Sequence, residues 1–170
     1  AKVYVEISNI CNLRCSFCPG TTRTPKKMNT DEFKTVLEKI KDYTDYIYFH
    51  LLGEPLCHPN LKEFLEIAED MQFKVIITTN GTLLSKCKDI LLNSKSHYKT
   101  VLSLHSFEAN DNKISFENYL TDCFEYAKNA ENKKIVVLRL WNNGGKDSLN
   151  CEILSKLEDY FPKPWIEERN

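Results

Sequence analysis

Residues 3–18 read Val-Tyr-Val-Glu-Ile-Ser-Asn-Ile-Cys-Asn-Leu-Arg-Cys-Ser-Phe-Cys, a strand-like run followed closely by three cysteines. The β-branched and aromatic residues of Val3–Ile7 are typical of a strand. The cysteine-rich loop that follows extends to about Asn29. The segment therefore places reactive side chains at the carboxyl end of the first strand.

Downstream of this loop, strand-like and helix-like segments alternate. The sequence predicts strands at Tyr46–Leu51, Lys74–Thr78, Thr100–Leu104 and Lys134–Leu140, and helices from Thr30, from Pro59, and over Leu83–Leu92, Phe116–Ala130 and Leu149–Tyr160. Such a series of βα units predicts an α/β fold with a parallel sheet and helices outside it. A doubly wound sheet and an open, partial (β/α) barrel both fit, and both place ligands at the carboxyl ends of the strands. Residues 162–166 are a candidate start of a sixth strand.

Composition and charge limit the class of protein. The chain has 170 residues, 42% hydrophobic and 28% charged, which suits one globular domain. No apolar run approaches the roughly 18 residues of a membrane helix, and we expect neither a signal peptide nor a membrane partner. A net charge of −1 gives no reason to expect nucleic acid as a partner. Seven cysteines without a secretory signal favour reduced thiols and a cytoplasmic location.

The spacing of Cys11, Cys15 and Cys18 indicates a metal site with an open position. A structural zinc site and a [4Fe-4S] cluster normally take four protein ligands, so a cluster held by three thiolates leaves one iron free to bind a ligand. Phe17 would shield such a cluster. Two alternatives remain at this point: a zinc site completed by a residue such as His58, and a redox pair formed by Cys15 and Cys18.

The pattern Cys-x3-Cys-x-aromatic-Cys after a first strand resembles the signature of the radical S-adenosylmethionine (SAM) superfamily. The resemblance implies an open partial barrel of five to six βα units and an oxygen-sensitive [4Fe-4S] cluster on Cys11, Cys15 and Cys18. It also implies that the free iron binds the amino and carboxylate groups of SAM. Reductive cleavage of SAM then yields a 5′-deoxyadenosyl radical, with an electron from a reductant such as flavodoxin or ferredoxin.

Residues 52–55, Leu-Gly-Glu-Pro, look like the Gly-Gly-Glu-Pro motif of this family, with Leu52 in place of the first glycine. In the family this segment contacts the amino group of SAM. We expect Gly53 to permit an unusual backbone angle, Glu54 to accept from an ammonium group, and Pro55 to stiffen the exit from the strand.

Residues at the ends of the later strands are further candidates for SAM contacts. Residues 78–84, which include Asn80, resemble a segment of the SPASM group of this family. The family often places a polar side chain on the SAM ribose at the end of the fourth strand, where Ser103 and His105 lie, and strand alternation puts both on one face. Arg139 suits the SAM carboxylate through its planar fork, although a structural ion pair explains it equally well.

The remaining cysteines and histidines have simpler interpretations. Cys87 and Cys123 fall in helical segments and are predicted to be small core residues. Cys57, which follows the Gly-Glu-Pro segment, is the only one of the remaining cysteines with an expected link to the site. We expect His97 to lie at the surface. His50 and His58 are predicted to be structural, and Trp141 either lines the substrate cavity or caps the barrel.

Residues 1–170 are interpreted as one radical SAM core domain that is incomplete at its C-terminus, since full cores usually have six βα units. The predicted activity is hydrogen abstraction from an unidentified substrate, with a peptide or protein favoured over a small molecule of cofactor biosynthesis. A non-enzymatic iron–sulfur or zinc-binding module is the alternative.

Overall fold

The computed structural model describes residues 2–111, 113–140 and 148–166. Within these residues, strands and α-helices alternate, with 3-10 helices at Pro55–Cys57 and Leu104–Ala109. The elements are β1 (Val3–Tyr4), α1 (Thr30–Ile40), β2 (Tyr46–Phe49), α2 (Leu61–Asp70), β3 (Lys74–Thr79), α3 (Leu84–Asn93), β4 (His97–Ser103), α4 (Phe116–Asn129), β5 (Ile135–Arg139) and α5 (Asn150–Tyr160).

The strands form one sheet in the order β1-β2-β3-β4-β5, and all neighbouring pairs are parallel. Because sequential parallel strands are joined by right-handed crossovers, this order places the connecting helices on one face of the sheet. The sheet is open, with β1 and β5 at its edges. This arrangement confirms the predicted α/β fold, an open partial barrel with helices outside.

The two faces of the sheet differ in burial. In β2, Ile47 and Phe49 are fully buried, whereas Tyr46 and Tyr48 are only partly buried. The buried face packs against the helices through Phe33 of α1, whose ring meets that of Phe49 edge-on at 5.7 Å. The inner face, which carries Tyr46 and Tyr48, is therefore less covered than the outer face that packs against the helices. In the described ranges, no helix combines the length and the apolar character needed to cross a membrane.

The first two strands end earlier than predicted. β1 stops at Tyr4 instead of Ile7, because the carbonyl of Ile7 accepts from Met28 N (2.8 Å) and Ser8 pairs antiparallel with Lys27. β2 stops at Phe49, two residues before Leu51, which has a φ of 137°. A left-handed backbone at a leucine cannot continue a strand.

β4 and the C-terminal segment also differ from the prediction. β4 begins at His97, three residues before Thr100, and its register with β3 shifts between Val75 and Ile76. Residues 162–166 form no strand, so the candidate sixth strand is wrong. The Trp165 indole N–H instead donates to the carbonyl of Phe161 (2.8 Å), and the ring packs against the core.

His97 was expected at the surface, and this is wrong: its side chain is buried at the start of β4. Its Nδ1–H donates to the carbonyl of Leu91 (3.0 Å), and Nε2 accepts from Thr100 Oγ1 (2.9 Å). Thr100 Oγ1 in turn lies 2.7 Å from the hydroxyl of Tyr126. The pKa of His97 is lowered to about 4, mainly by burial and also by the nearby Lys134 ammonium, while the hydrogen bond to Leu91 opposes the shift. The ring is therefore neutral in the folded protein near pH 7.

We predict that His97 makes the protein acid-labile. The unfolded chain binds a proton at His97 below its ordinary pKa of about 6.5, whereas the folded chain does so only near pH 4. The contribution to the free energy of unfolding is complete above pH 6.5 and falls by about 2–3 kcal/mol as the pH drops to 4. Urea unfolding at pH 7 and pH 4.5 measures this loss, which His97→Gln should reduce. Tyr126→Phe, which keeps the imidazole, is the control; an equal loss in His97→Gln and the unaltered protein would contradict the assignment.

Candidate functional site

Three free cysteines lie on the loop after β1, with Cys11 and Cys18 exposed and Cys15 half-buried. The loop turns tightly, since Cys18 N donates to the carbonyl of Cys15 (3.0 Å). Backbone N–H groups of Leu13 and Gly20 point at the sulfurs of Cys11 (3.5 Å) and Cys18 (3.4 Å). These N–H groups hold the two sulfurs in the loop, and the one at Leu13 opposes the effect of burial on the pKa of Cys11.

The surroundings of Cys11 and Cys15 favour the protonated form of both thiols. Burial raises the pKa of Cys11 and raises that of Cys15 to about 11, and the neighbouring sulfurs Cys11 and Cys18 add to the shift of Cys15. In the part of the chain that the structure describes, no three His, Cys, Asp or Glu side chains are arranged to hold a metal ion. A bound metal would reverse the pKa shifts through its own charge. The donor set, three soft thiolates on one loop, fits an iron–sulfur cluster.

Gly53 lets the segment after β2 approach the start of the cysteine loop. A Cβ atom at Gly53 would lie 1.9 Å from the carbonyl oxygen of Ser8. Beside this contact, Glu54 N donates to the carbonyl of Ile10 (2.9 Å). The expected unusual backbone angle occurs instead at Leu51, whose φ is 137°. Gly53 is therefore required by close approach and not by its own backbone conformation.

The carboxylate of Glu54 is buried and accepts hydrogen bonds from within the fold. Oε1 accepts from Leu56 N (3.0 Å) and Thr79 Oγ1 (2.6 Å), and Oε2 accepts from Asn80 N (2.8 Å). Burial raises the pKa of Glu54, and these three donors oppose that rise. Through these hydrogen bonds, the carboxylate connects the segment after β2 to the end of β3 and holds the two segments in position. Pro55, which begins the following 3-10 helix, is buried as well.

Asn80 links the end of β3 to the cysteine loop. Its Nδ2 donates to Asn12 Oδ1 (3.0 Å) and lies 3.9 Å from the sulfur of Cys11. Its Oδ1 accepts from the backbone N and the hydroxyl of Thr82 (3.0 and 2.7 Å). The structure therefore places Asn80 directly against the first cysteine.

The 3-10 helix Leu104–Ala109 after β4 forms the opposite side of the loop. Cys15 Sγ lies 3.9 Å from the carbonyl of Ser106, and the rings of Phe17 and His105 are 5.0 Å apart. Ser16 donates through both its backbone N (3.1 Å) and its hydroxyl (2.7 Å) to Glu108 Oε1. The cysteine loop is thus held from two sides, by the end of β3 and by this helix.

Ser103 and Arg139 are register partners at the carboxyl ends of β4 and β5. His105 does not share a strand face with Ser103 as predicted, because the 3-10 helix begins at Leu104. The carbonyl of Arg139 lies 3.3 Å from His105 Nδ1. The pKa of His50 is lowered by burial and, to a smaller extent, by the charge of Arg139. Arg139 is not part of the ion pairs that the described residues form. Trp141 lies outside the described residues.

Three of the simpler interpretations agree with the structure. Cys123 is fully buried and Cys87 packs against the core. His58 is buried at the entry to α2, where its Nδ1 accepts from Asn60 N (3.1 Å) and its Nε2–H donates to the carbonyl of Met28 (3.0 Å). Cys57 lies close enough to Glu54 and Cys11 for their charges to raise its pKa, which burial brings to about 11.

Several residues of the site were missed. They are Asn12, Thr79, Ser106, Glu108 and Tyr119. Asn12 follows Cys11 and Thr79 precedes Asn80 in the sequence, so their proximity to predicted site residues could have indicated them. Glu108 and Tyr119 reach the site only through tertiary contacts, and no local pattern marks them.

Comparison with known proteins identifies the family. Residues 5–141 match the sequence profile of the Radical SAM superfamily, and the chain belongs to this superfamily. Members of the superfamily use SAM and an iron–sulfur cluster.

Among its relatives, the S-adenosyl-L-methionine-dependent 2-deoxy-scyllo-inosamine dehydrogenase of Niallia circulans is 25% identical over 178 residues. The match covers 92% of this chain and 68% of the relative. A similar fold occurs in Streptococcus suis SuiB, solved with S-adenosylmethionine (TM-score 0.69, 20% identity) and with the precursor peptide SuiA (TM-score 0.68, 22% identity). These matches cover 94% of this chain but only 38% and 36% of the SuiB chains.

We predict that Gly53→Ala destabilises the protein by about 2–4 kcal/mol, because the new methyl group would overlap the backbone of Ser8. Thermal or urea unfolding measures the loss. Gly20→Ala is the matched control: Gly20 has a φ of +65° but nothing within 4 Å of an added Cβ, so only the backbone cost of about 1–2 kcal/mol applies. A smaller loss for Gly53→Ala than for Gly20→Ala would contradict the close approach.

Proposed function

We propose that the protein is a radical SAM enzyme whose core holds a [4Fe-4S] cluster on Cys11, Cys15 and Cys18. The observation that supports this most is the anchoring of the cysteine loop. The loop is held at the carboxyl ends of β2, β3 and β4 in a chain that belongs to the superfamily. Ligands bind at these ends in parallel α/β folds.

When bound, the cluster and SAM supply a one-electron cleavage of the sulfonium that yields a 5′-deoxyadenosyl radical for hydrogen abstraction. The chain's own residues bind and orient these groups. The three thiolates would hold the cluster, with Phe17 and His105 covering one side of it. Glu54 and Asn80 would hold the loop in place, so that its sulfurs face the mouth of the sheet, which is the edge formed by the carboxyl ends of the strands.

Four further residues are proposed to contact SAM. The backbone at Gly53 and Pro55 would face its amino group, as the Gly-Glu-Pro resemblance implies. Ser103 would accept a hydrogen bond from the ribose, and Arg139 would pair with the carboxylate. The position of Arg139 supports this proposal, since it is exposed at the end of β5 and its carbonyl lies 3.3 Å from His105 Nδ1.

A peptide or protein is the favoured substrate class. The Gly-Glu-Pro-Leu segment at 53–56 and the Thr-Asn-Gly-Thr-Leu-Leu segment at 79–84 resemble SPASM-type enzymes, and SuiB, which shares the fold, was solved with a precursor peptide. The dehydrogenase relative, named for 2-deoxy-scyllo-inosamine, supports a small molecule as the alternative. We further propose a cytoplasmic, oxygen-sensitive enzyme reduced by a flavodoxin or ferredoxin, with residues 1–170 forming a radical SAM core domain.

Anaerobic reconstitution with iron and sulfide tests the proposal. We predict a brown protein with about four irons per chain that forms 5′-deoxyadenosine from SAM after reduction. Cys15→Ala should lose the cluster absorbance and the SAM cleavage. Cys151→Ala removes an exposed cysteine on α5 and should keep both.

A colourless protein that holds one zinc ion would overturn the proposal in favour of a zinc module. A full cluster in Cys15→Ala would overturn the ligand assignment. A cluster in the unaltered protein without any SAM cleavage would support the non-enzymatic iron–sulfur module.

A further inference from the structure

The 3-10 helix Leu104–Ala109 is a fixed platform beside the cysteine loop. Leu104 and Ser106 are buried, and the ring of Phe107 lies 4.8 Å from the rings of both Phe116 and Tyr119. The helix is closed by Asn110, whose backbone N donates to the carbonyl of Phe107 (3.0 Å) and whose Nδ2 donates to the carbonyl of Ile114 (2.8 Å). Its position is therefore set by packing against α4.

Glu108 is the exposed residue of this platform that reaches the cysteine loop. One carboxylate oxygen, Oε1, accepts from both the backbone N and the hydroxyl of Ser16. Hydrogen bonds to a charged acceptor are stronger than neutral ones. Both donors come from the residue between Cys15 and Phe17, so one carboxylate fixes the backbone and the side chain at the centre of the motif.

Residues on each side of Ser16 contact the same platform. Cys15 Sγ lies against the carbonyl of Ser106, and the ring of Phe17 lies against that of His105. Three consecutive loop residues, Cys15, Ser16 and Phe17, thus contact the same 3-10 helix. Because Ser16 directly follows Cys15 in the chain, the hydrogen-bonded Glu108 carboxylate also lies beside the second of the three cysteines.

We propose that Glu108 is a positioning residue of the cluster site, which fixes Ser16 and thereby Cys15 and places a negative charge beside the second ligand. This inference rests on the proposed function, since it assigns Glu108 to the same site. Glu108→Gln and Glu108→Ala separate its two contributions. The glutamine oxygen can still accept from Ser16 but carries no charge, and the alanine removes both.

The first experiment uses the cluster-free protein and amide hydrogen exchange at Ser16. We expect Glu108→Ala to speed exchange about fivefold, as loss of one hydrogen bond implies, and Glu108→Gln to keep most of the protection. Glu131→Ala is the control, since it removes an exposed glutamate that pairs with Lys128 on the end of α4. Both alanine variants should melt within about 2 °C of each other, because exposed pairs contribute little to global stability. Unchanged exchange in Glu108→Ala would overturn the proposal.

The second experiment measures the reduction potential of the reconstituted cluster. A nearby negative charge disfavours the reduced form, so Glu108→Gln should shift the potential upward and Glu131→Ala should leave it unchanged. Equal potentials in the unaltered protein and Glu108→Gln would overturn the assignment of this charge to Cys15. If the unaltered protein takes up no cluster, the proposed function fails, whereas the exchange of Ser16 still decides whether Glu108 holds the loop.

Discussion

The mouth of the sheet depends on one buried carboxylate, that of Glu54. Removing a carboxylate from water is costly unless donors replace the lost hydration. Three donors do so here, one from its own turn at Leu56 and two from the end of β3 at Thr79 and Asn80. Its backbone N–H holds the carbonyl of Ile10, one residue before the first cysteine. Glu54 therefore fixes three chain segments relative to one another at the edge where ligands bind.

The network extends from Glu54 through Asn80 to the helical layer. The carbonyl of Asn80 accepts from the hydroxyl of Tyr119 (2.7 Å), which lies in the buried face of α4. Gly81 follows with a φ of +81°, and a Cβ there would lie 3.0 Å from the sulfur of Cys123. The turn after β3 thus fits tightly over α4. Because Asn80 also contacts Asn12 and Cys11, the position of the first cysteine is coupled to packing on the outer face of the sheet.

Much of the fold follows from local sequence patterns, and the errors have non-local causes. Hydrophobic periodicity located the five α-helices of the described residues and the alternation of strands and helices along the chain, which together indicate a parallel sheet. It did not locate the start of β4, because His97, Tyr98 and Lys99 show no strand-like apolar alternation. That segment joins the sheet through a register shift against β3 and through the buried hydrogen bonds of His97. The end of β1 likewise depends on Met28, more than twenty residues away in sequence.

In the candidate site too, the local motif could be predicted from the sequence, whereas the non-local contacts could not. Cysteine spacing is a local property, so the motif was visible in the sequence, and family membership agrees with it. Two of the contacts that hold the loop join residues 68 and 92 positions apart, namely Asn80 to Asn12 and Ser16 to Glu108. A residue such as Gly53 shows the difference: its motif was recognised, but its physical role depends on Ser8 in another segment.

The cysteine side and the β5 side of the mouth differ in structure, and this difference corresponds to two parts of the proposed chemistry. The cysteine side of the mouth is tied to β2, β3 and β4 by buried or charge-assisted hydrogen bonds, which favours a fixed geometry for a cluster. The side near β5 is different, since its strand residues are only partly buried or exposed and Arg139 projects from its end. Relatives that share the core differ in the substrates for which they are named, and the chain spans 68% or less of the two described above. The more firmly anchored cysteine side and the more open β5 side suit the proposed division between radical generation at the cysteine loop and substrate binding near β5.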